Sequence, residues 1–230
     1  MSLVELWVCR LDHPAELAAS NLPLLSTDEL DRADRFAFDH LRNDYISARG
    51  LTRRILASRT GIDPRLICFG YEARGKPFLE SYPEWHFNVS HSKTLMVCAV
   101  TKAGPIGVDI EHVRDIADAS GIAESFFCAD EARALALLPP PLRARAFFEC
   151  WTRKEAFLKA TGEGLSRNLS SVAVTFLPGS VPRFQRIEDP EDDPAAWSLR
   201  SFIPEENYTA AVAVRAPISD VRVHLSGFQK

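Results

Sequence analysis

No apolar run in the sequence exceeds six residues, the longest being Leu95 to Val100. A membrane-spanning helix needs about 20, so none is expected. No basic-then-apolar leader opens the chain, because Glu5 and Arg10 interrupt the first ten residues. The five cysteines, Cys9, Cys68, Cys98, Cys128 and Cys150, include no CxxC pair. A disulfide framework or zinc site is therefore not expected, and the thiols read as small core residues in a reducing cytoplasm. A basic excess is also missing: Lys plus Arg number 27, Asp plus Glu 31, and the net charge is −4. That argues against a general nucleic-acid binder, though not against a local basic patch. There is no Walker loop and no GxSxG elbow, and Arg167 stands where a third glycine would complete a dinucleotide loop. His86 and His91 lack partners at metal-ligand spacing.

What remains is an ordinary globular composition, 46% apolar and 25% charged over 230 residues. A chain this long buries roughly 70–75% of its unfolded surface without staples. Strands are expected at 3–11, 66–72, 78–79, 95–101, 106–111, 171–177, 196–203 and 207–215. Helices are expected within 28–59 and at 118–126, 129–138 and 143–161, with the prolines at 139–141 ending the second of these three. The acidic stretch 188–194 reads as a solvated loop. Leu51-Thr52-Arg53-Arg54 and Thr60-Gly61 are echoed by Trp151-Thr152-Arg153-Lys154 and Thr161-Gly162. The echo suggests two similar α+β halves meeting near Gly104.

Strand alternation puts Ile106, Val108 and Ile110 on one face and Gly107, Asp109 and Glu111 on the other. Gly107 leaves room beside the two carboxylates for something bulky. On the helix 143–161, Phe147, Phe148, Trp151 and Leu158 form an apolar stripe that contains Glu155, with Lys159 one turn on. Glu155 is therefore partly desolvated, and it either pairs with Lys159 on the surface or joins the two strand acids. Three carboxylates with few histidines suit a hard cation such as Mg²⁺, which completes its shell with water and phosphate oxygens.

His86-Phe87-Asn88-Val89-Ser90-His91-Ser92 reads as a polar loop before the apolar strand, able to present Ser90, His91 and Ser92 to an anion. On the helix around 41–57, Arg42, Arg49 and Arg53 share a face. Residues 32–59 carry seven Arg against three Asp in a chain that is acidic overall. A phosphate-rich ligand would explain that imbalance, and Lys76 in the Gly75-Lys76-Pro77 turn is a further phosphate candidate.

These segments together resemble the 4′-phosphopantetheinyl transferases of the larger surfactin-synthetase type. The residues that carry the resemblance are Gly75-Lys76-Pro77, Phe87 to Ser92, Gly107 to Glu111 and Trp151 to Lys159, extended by Gly162-Glu163-Gly164-Leu165. It covers roughly residues 32 to 176. It implies two α+β lobes related by a pseudo-twofold, an N-terminal lobe over 1–104 and a C-terminal lobe over 105–230 that carries the metal site.

The resemblance further implies coenzyme A as substrate, Mg²⁺ or Mn²⁺ as metal, an acyl or peptidyl carrier protein as partner, and a cytoplasmic monomer. It implies Asp109, Glu111 and Glu155 as metal ligands; Glu155, set in its apolar stripe, is expected to be the general base, directly or through water, with Lys159 and Asp109 beside it. Ser90, His91, Lys154 and Lys159 would contact phosphates, and Arg49 and Lys76 the 3′-phosphate end. Two other readings of the same residues are a Mg-dependent phosphodiesterase or nuclease, and a non-catalytic coenzyme-A-binding module. The chain departs from the family pattern at Ser125, before Phe126-Phe127. It departs again at Cys128, where Asp130 is expected to help cap the next helix, and along 183–206.

Overall fold

Seven consecutive buried residues, Leu95–Thr101, form the central strand β5 of the first sheet. The computed structural model describes residues 2–12, 14–164, 167–189 and 192–226. Leu165 of the fourth motif and residues 190–191 of the acidic stretch lie outside them. The strands are β1 (Leu3–Arg10), β2 (Phe69–Tyr71), β3 (Pro77–Leu79), β4 (His86–Ser92), β5, β6 (Ile106–His112), β7 (Val172–Val174), β8 (Phe184–Ile187), β9 (Ser198–Phe202), β10 (Tyr208–Val214) and β11 (Asp220–Ser226). The α-helices are α1 (Pro14–Asn21), α2 (Thr27–Ala33), α3 (Asp39–Thr60), α4 (Ala119–Phe126), α5 (Ala129–Leu137) and α6 (Pro140–Thr161).

Two sheets stack face to face. The first has the order β11-β1-β5-β4 and the second β6-β10-β9. Between them, Val4, Leu6, Val8, Leu95, Val97 and Ala99 meet Ile106, Val108, Ile110, Ala210, Val212 and Val214 in one apolar cluster. On the outer face of the first sheet, Cys9, Met96, Cys98 and Val100 pack under Leu51, Ile55 and Leu56 of α3. On the outer face of the second, Ala211 and Ala213 pack under Ala156, Phe157 and Ala160 of α6. The result is an α/β/β/α stack whose interior layer belongs to both lobes.

The internal echo has a structural counterpart. Helices α3 and α6 are both 22 residues long, and both end at a Thr-Gly step whose glycine is left-handed, Gly61 at φ 78° and Gly162 at φ 74°. Thr52 and Thr152 each donate a side-chain hydrogen bond one turn back, to Ala48 O and Phe148 O. By sequence the echo aligns Arg53 with Arg153, both buried and both donating to backbone carbonyls beyond their helix, whereas by position in the two helices Arg53 matches Lys154.

Several expectations change. His86–Ser92 is not a loop but the edge strand β4, paired antiparallel along β5; its alternate polar residues disguise it. Pro140 and Pro141 do not lie between helices but begin α6, where a missing N–H costs nothing. Helix α1 and strands β8 and β11 were not anticipated. Strand β11 also departs from a simple split at 104, because it returns to the first sheet and pairs in parallel with β1. The α5 cap is completed by Glu131, which accepts the Cys128 amide at 2.9 Å, and not by Asp130, which pairs with Arg133 on the surface.

Candidate active site

Strands β4 and β6 are edge strands of different sheets, and they lie side by side. Polar side chains of β4 at every second position bridge the seam. Asn88 Oδ1 accepts the Val108 amide at 2.9 Å, Ser90 Oγ donates to Asp109 Oδ1 at 2.8 Å, and Ser92 Oγ donates to Glu111 Oε2 at 2.9 Å while accepting the His112 amide. An edge strand's unpaired amides need such partners when buried. The seam thus fixes the register in which Asp109 and Glu111 stand.

Helix α6 crosses directly over them. Gly107 does leave room, and the occupant is the helix backbone: a Cβ there would run into the Ala156 carbonyl and the Ala160 amide. Ala211 and Ala213, opposite Asp109 and Gly107 on β10, keep the surface equally low. Close approach brings Glu155 and Lys159 onto the strand acids. Lys159 does not pair with Glu155; its Nζ donates to Asp109 Oδ1 at 2.6 Å and to Ser90 Oγ at 2.9 Å.

Burial pushes the Glu155 carboxyl above its ordinary range, the charges of Asp109 and Glu111 push the same way, and Lys159 opposes them. Burial likewise raises Glu111, against Ser92, Arg114 and Lys159. The three acids are therefore mutually repelling neighbours around one ammonium group. Among the described residues no three acidic, imidazole or thiol groups are already drawn together as a metal cage. Asp109 Oδ2, however, is buried and makes no hydrogen bond. An orphaned carboxylate oxygen beside two further carboxylates is a donor set suited to a hard divalent cation.

Other expected contacts lie elsewhere. Lys154 is fully buried and cannot meet a phosphate from solvent. Its Nζ pairs with Glu131 Oε2 at 2.6 Å and donates to Leu169 O and Val172 O. Arg49 is largely spent within its own lobe, on buried Glu29, on the face of Phe69 at 3.8 Å and on Tyr71 Oη at 2.8 Å. Arg53 is turned inward onto Glu29, not shared on an exposed face with Arg42. Lys76 Nζ donates to Ile106 O at 3.1 Å and Ala160 O at 2.7 Å. Burial pushes it down to about 8, opposed by Glu72. It lines a cavity of about 480 Å³ with His86, Trp85, Thr161 and Arg167, at the junction of the lobes. His91 is exposed at the seam end of β4. Sequence reasoning missed Asn88 and Ser92 as seam residues, although their two-residue spacing with Ser90 was the signal.

An α+β chain built on two stacked sheets and two small hairpin sheets, with an acid cluster on the lobe seam, sets the class. A model of the 4′-phosphopantetheinyl transferase superfamily matches residues 105–213, and a model of the 4′-phosphopantetheinyl transferase N-terminal region matches residues 14–103. The chain is 38% identical to the 4′-phosphopantetheinyl transferase HetI of a Nostoc species, over 92% of this chain and 87% of that protein. It is 34% identical to the transferase psf-1 of Bacillus pumilus over 88% and 84%, and 30% identical to Sfp of Bacillus subtilis over 85% and 84%. The chain belongs to the 4′-phosphopantetheinyl transferase family.

Proposed function

We propose that this enzyme moves the 4′-phosphopantetheine arm of coenzyme A onto a serine hydroxyl of an acyl or peptidyl carrier protein, releasing adenosine 3′,5′-bisphosphate. The observation that carries the reading is the desolvated Glu155 held against Asp109, Glu111 and Lys159 on the seam.

Glu155 accepts the serine proton, directly or through a water. Its raised affinity for protons suits a general base, and such transfer contributes about 10²–10⁴-fold. Lys159 turns its ammonium from Asp109 to the phosphate being transferred, where a fixed cation stabilises charge. Ser90 and His91 position the nucleotide phosphates for in-line attack. Asp109, Glu111 and Glu155 would hold Mg²⁺ or Mn²⁺, which when bound neutralises charge on the leaving group, worth several kcal/mol. The five free cysteines and the pseudo-dimeric build support a monomer in a reducing cytoplasm. No described helix is long and apolar enough to cross a membrane.

Incubation with coenzyme A, Mg²⁺ and an apo-carrier protein should add the mass of one phosphopantetheine arm to the carrier. Asp109→Ala and Glu155→Gln should slow the gain by about 10²-fold or more. Undiminished transfer by both variants would refute the site, and DNA cleavage without transfer would favour a nuclease.

A further inference from the structure

We propose that Lys76 is a positioning residue: from the first lobe it clamps α6 to β6 and so sets the spacing of Glu155 and Lys159 over Asp109. The inference rests on the transfer reaction proposed above.

Lys76 follows Gly75 in the turn between β2 and β3, where Gly75 takes the left-handed φ of 85° that the turn requires. Its ammonium donates to two backbone carbonyls at once, Ile106 O at 3.1 Å and Ala160 O at 2.7 Å. Ile106 is the first residue of β6, the strand of Asp109 and Glu111. Ala160 lies in the last turn of α6, directly after Lys159. The final carbonyls of a helix have no intrahelical donors, and a cation there is favoured by the helix dipole.

The rest of the hairpin closes over the same helix end. Arg74 donates to Glu163 O at 3.5 Å. The Glu72 carboxylate lies against Gly162, where a Cβ would overlap it. On the hairpin's other side, Tyr71 accepts a hydrogen bond from Arg49 of α3. The hairpin is thus a bridge from the first-lobe helix to the end of the catalytic helix. The clamp acts beside Gly107, where the α6 backbone leaves no room for a Cβ on β6. Any slip of the helix at this point is transmitted to Lys159 and Glu155. Two of the three ammonium hydrogens are committed to carbonyls, which suits a clamp and leaves a poor phosphate ligand.

The test compares Lys76→Met, which keeps the stem and removes the ammonium, with Lys76→Arg, which retains donors. In Lys76→Met, kcat for transfer should fall about 10- to 100-fold, as expected for misplaced reacting groups. The KM for coenzyme A should move less than about threefold, since no ground-state contact is lost. Amide hydrogen exchange in the last turn of α6 should quicken by about tenfold or more while the β5 amides stay protected. Lys76→Arg should restore part of both. A raised KM with kcat and exchange unchanged would overturn the clamp in favour of a phosphate contact, and so would wild-type kcat and exchange in Lys76→Met. Absence of transfer by the unmutated protein would instead defeat the proposed function, while the exchange arm still reports on the clamp.

Discussion

Glu131 and Lys154 form an ion pair at 2.6 Å inside the second lobe, and Glu29 and Arg53 form its counterpart at 2.8 Å inside the first. In both, the glutamate is the third residue of a short helix and completes that helix's capping box. In both, the cation is the fifteenth residue of the 22-residue helix that covers the sheet. The repeat therefore extends beyond topology to a buried, hydrogen-bonded charge pair that fixes the short helix onto the long one. Removing one partner leaves the other charged and unsolvated.

Lys154→Met should accordingly lose about 3–5 kcal/mol of stability in denaturant melts. Adding Glu131→Gln should recover part of the loss, because the buried charge is then gone while an acceptor for the buried amides of Cys128 or Val174 remains. The KM for coenzyme A should be unaffected in both, which separates a structural lysine from a phosphate ligand.

Glu155→Gln should reduce single-turnover transfer by about 10²–10⁴-fold with little change in melting temperature. Asp109→Asn should weaken Mg²⁺ binding measured by calorimetry, since it replaces one charged donor oxygen and frees Lys159. Calorimetric Mg²⁺ affinity unchanged in Asp109→Asn would remove Asp109 from the ligand set.

Acid should attack the first lobe through Glu29. Burial pushes its carboxyl up, but Arg53, Arg49 and the Ser26 amide outweigh burial and hold it below the ordinary 4.5. A carboxyl depressed in the folded state stabilises the fold above its unfolded value, and the contribution disappears as pH falls through the folded one. Stability measured from pH 6 downward should therefore drop below about pH 4.5, and Glu29→Gln should flatten that limb while lowering stability at neutral pH.

Gly107→Ala should cost about 1–3 kcal/mol of stability, the usual price of overpacking. Transfer should fall further than stability accounts for, because α6 can make room only by lifting Glu155 and Lys159 away from Asp109. Wild-type activity in this variant would mean that helix-to-strand spacing is not critical.

The acids were legible because strand alternation at 106–111 and the stripe on α6 are both strong periodic signals. Of the α6 stripe, Phe147, Phe148 and Leu158 are buried and Trp151 partly so, while Ala156, Phe157 and Ala160, which pack with the second sheet, fall outside it. Arginines and lysines were harder. On a helical wheel, Arg49, Arg53 and Lys154 look like solvent or ligand contacts, and only the fold shows that Glu29 and Glu131, distant in sequence, receive them. Strand β4 was hidden because its polar residues face another strand rather than water. Strand β11 was missed because its exposed edge position leaves little hydrophobic contrast: Val223 and Leu225 remain open to solvent.

Strand β11 lies along β1 from Leu3–Asp220 to Cys9–Ser226, and Ser219 donates its amide to Ser2 at 3.0 Å. A segment near residue 220 therefore finishes a sheet begun more than two hundred residues earlier in the chain. Until it emerges from the ribosome, β1 carries an open hydrogen-bonding edge, the kind that recruits stray strands into aggregates. So long a loop to close also slows the search for the native pairing. The chain truncated before Ser219 should aggregate more readily than the full one on refolding, and residues 219–226 supplied as a separate peptide should counter it.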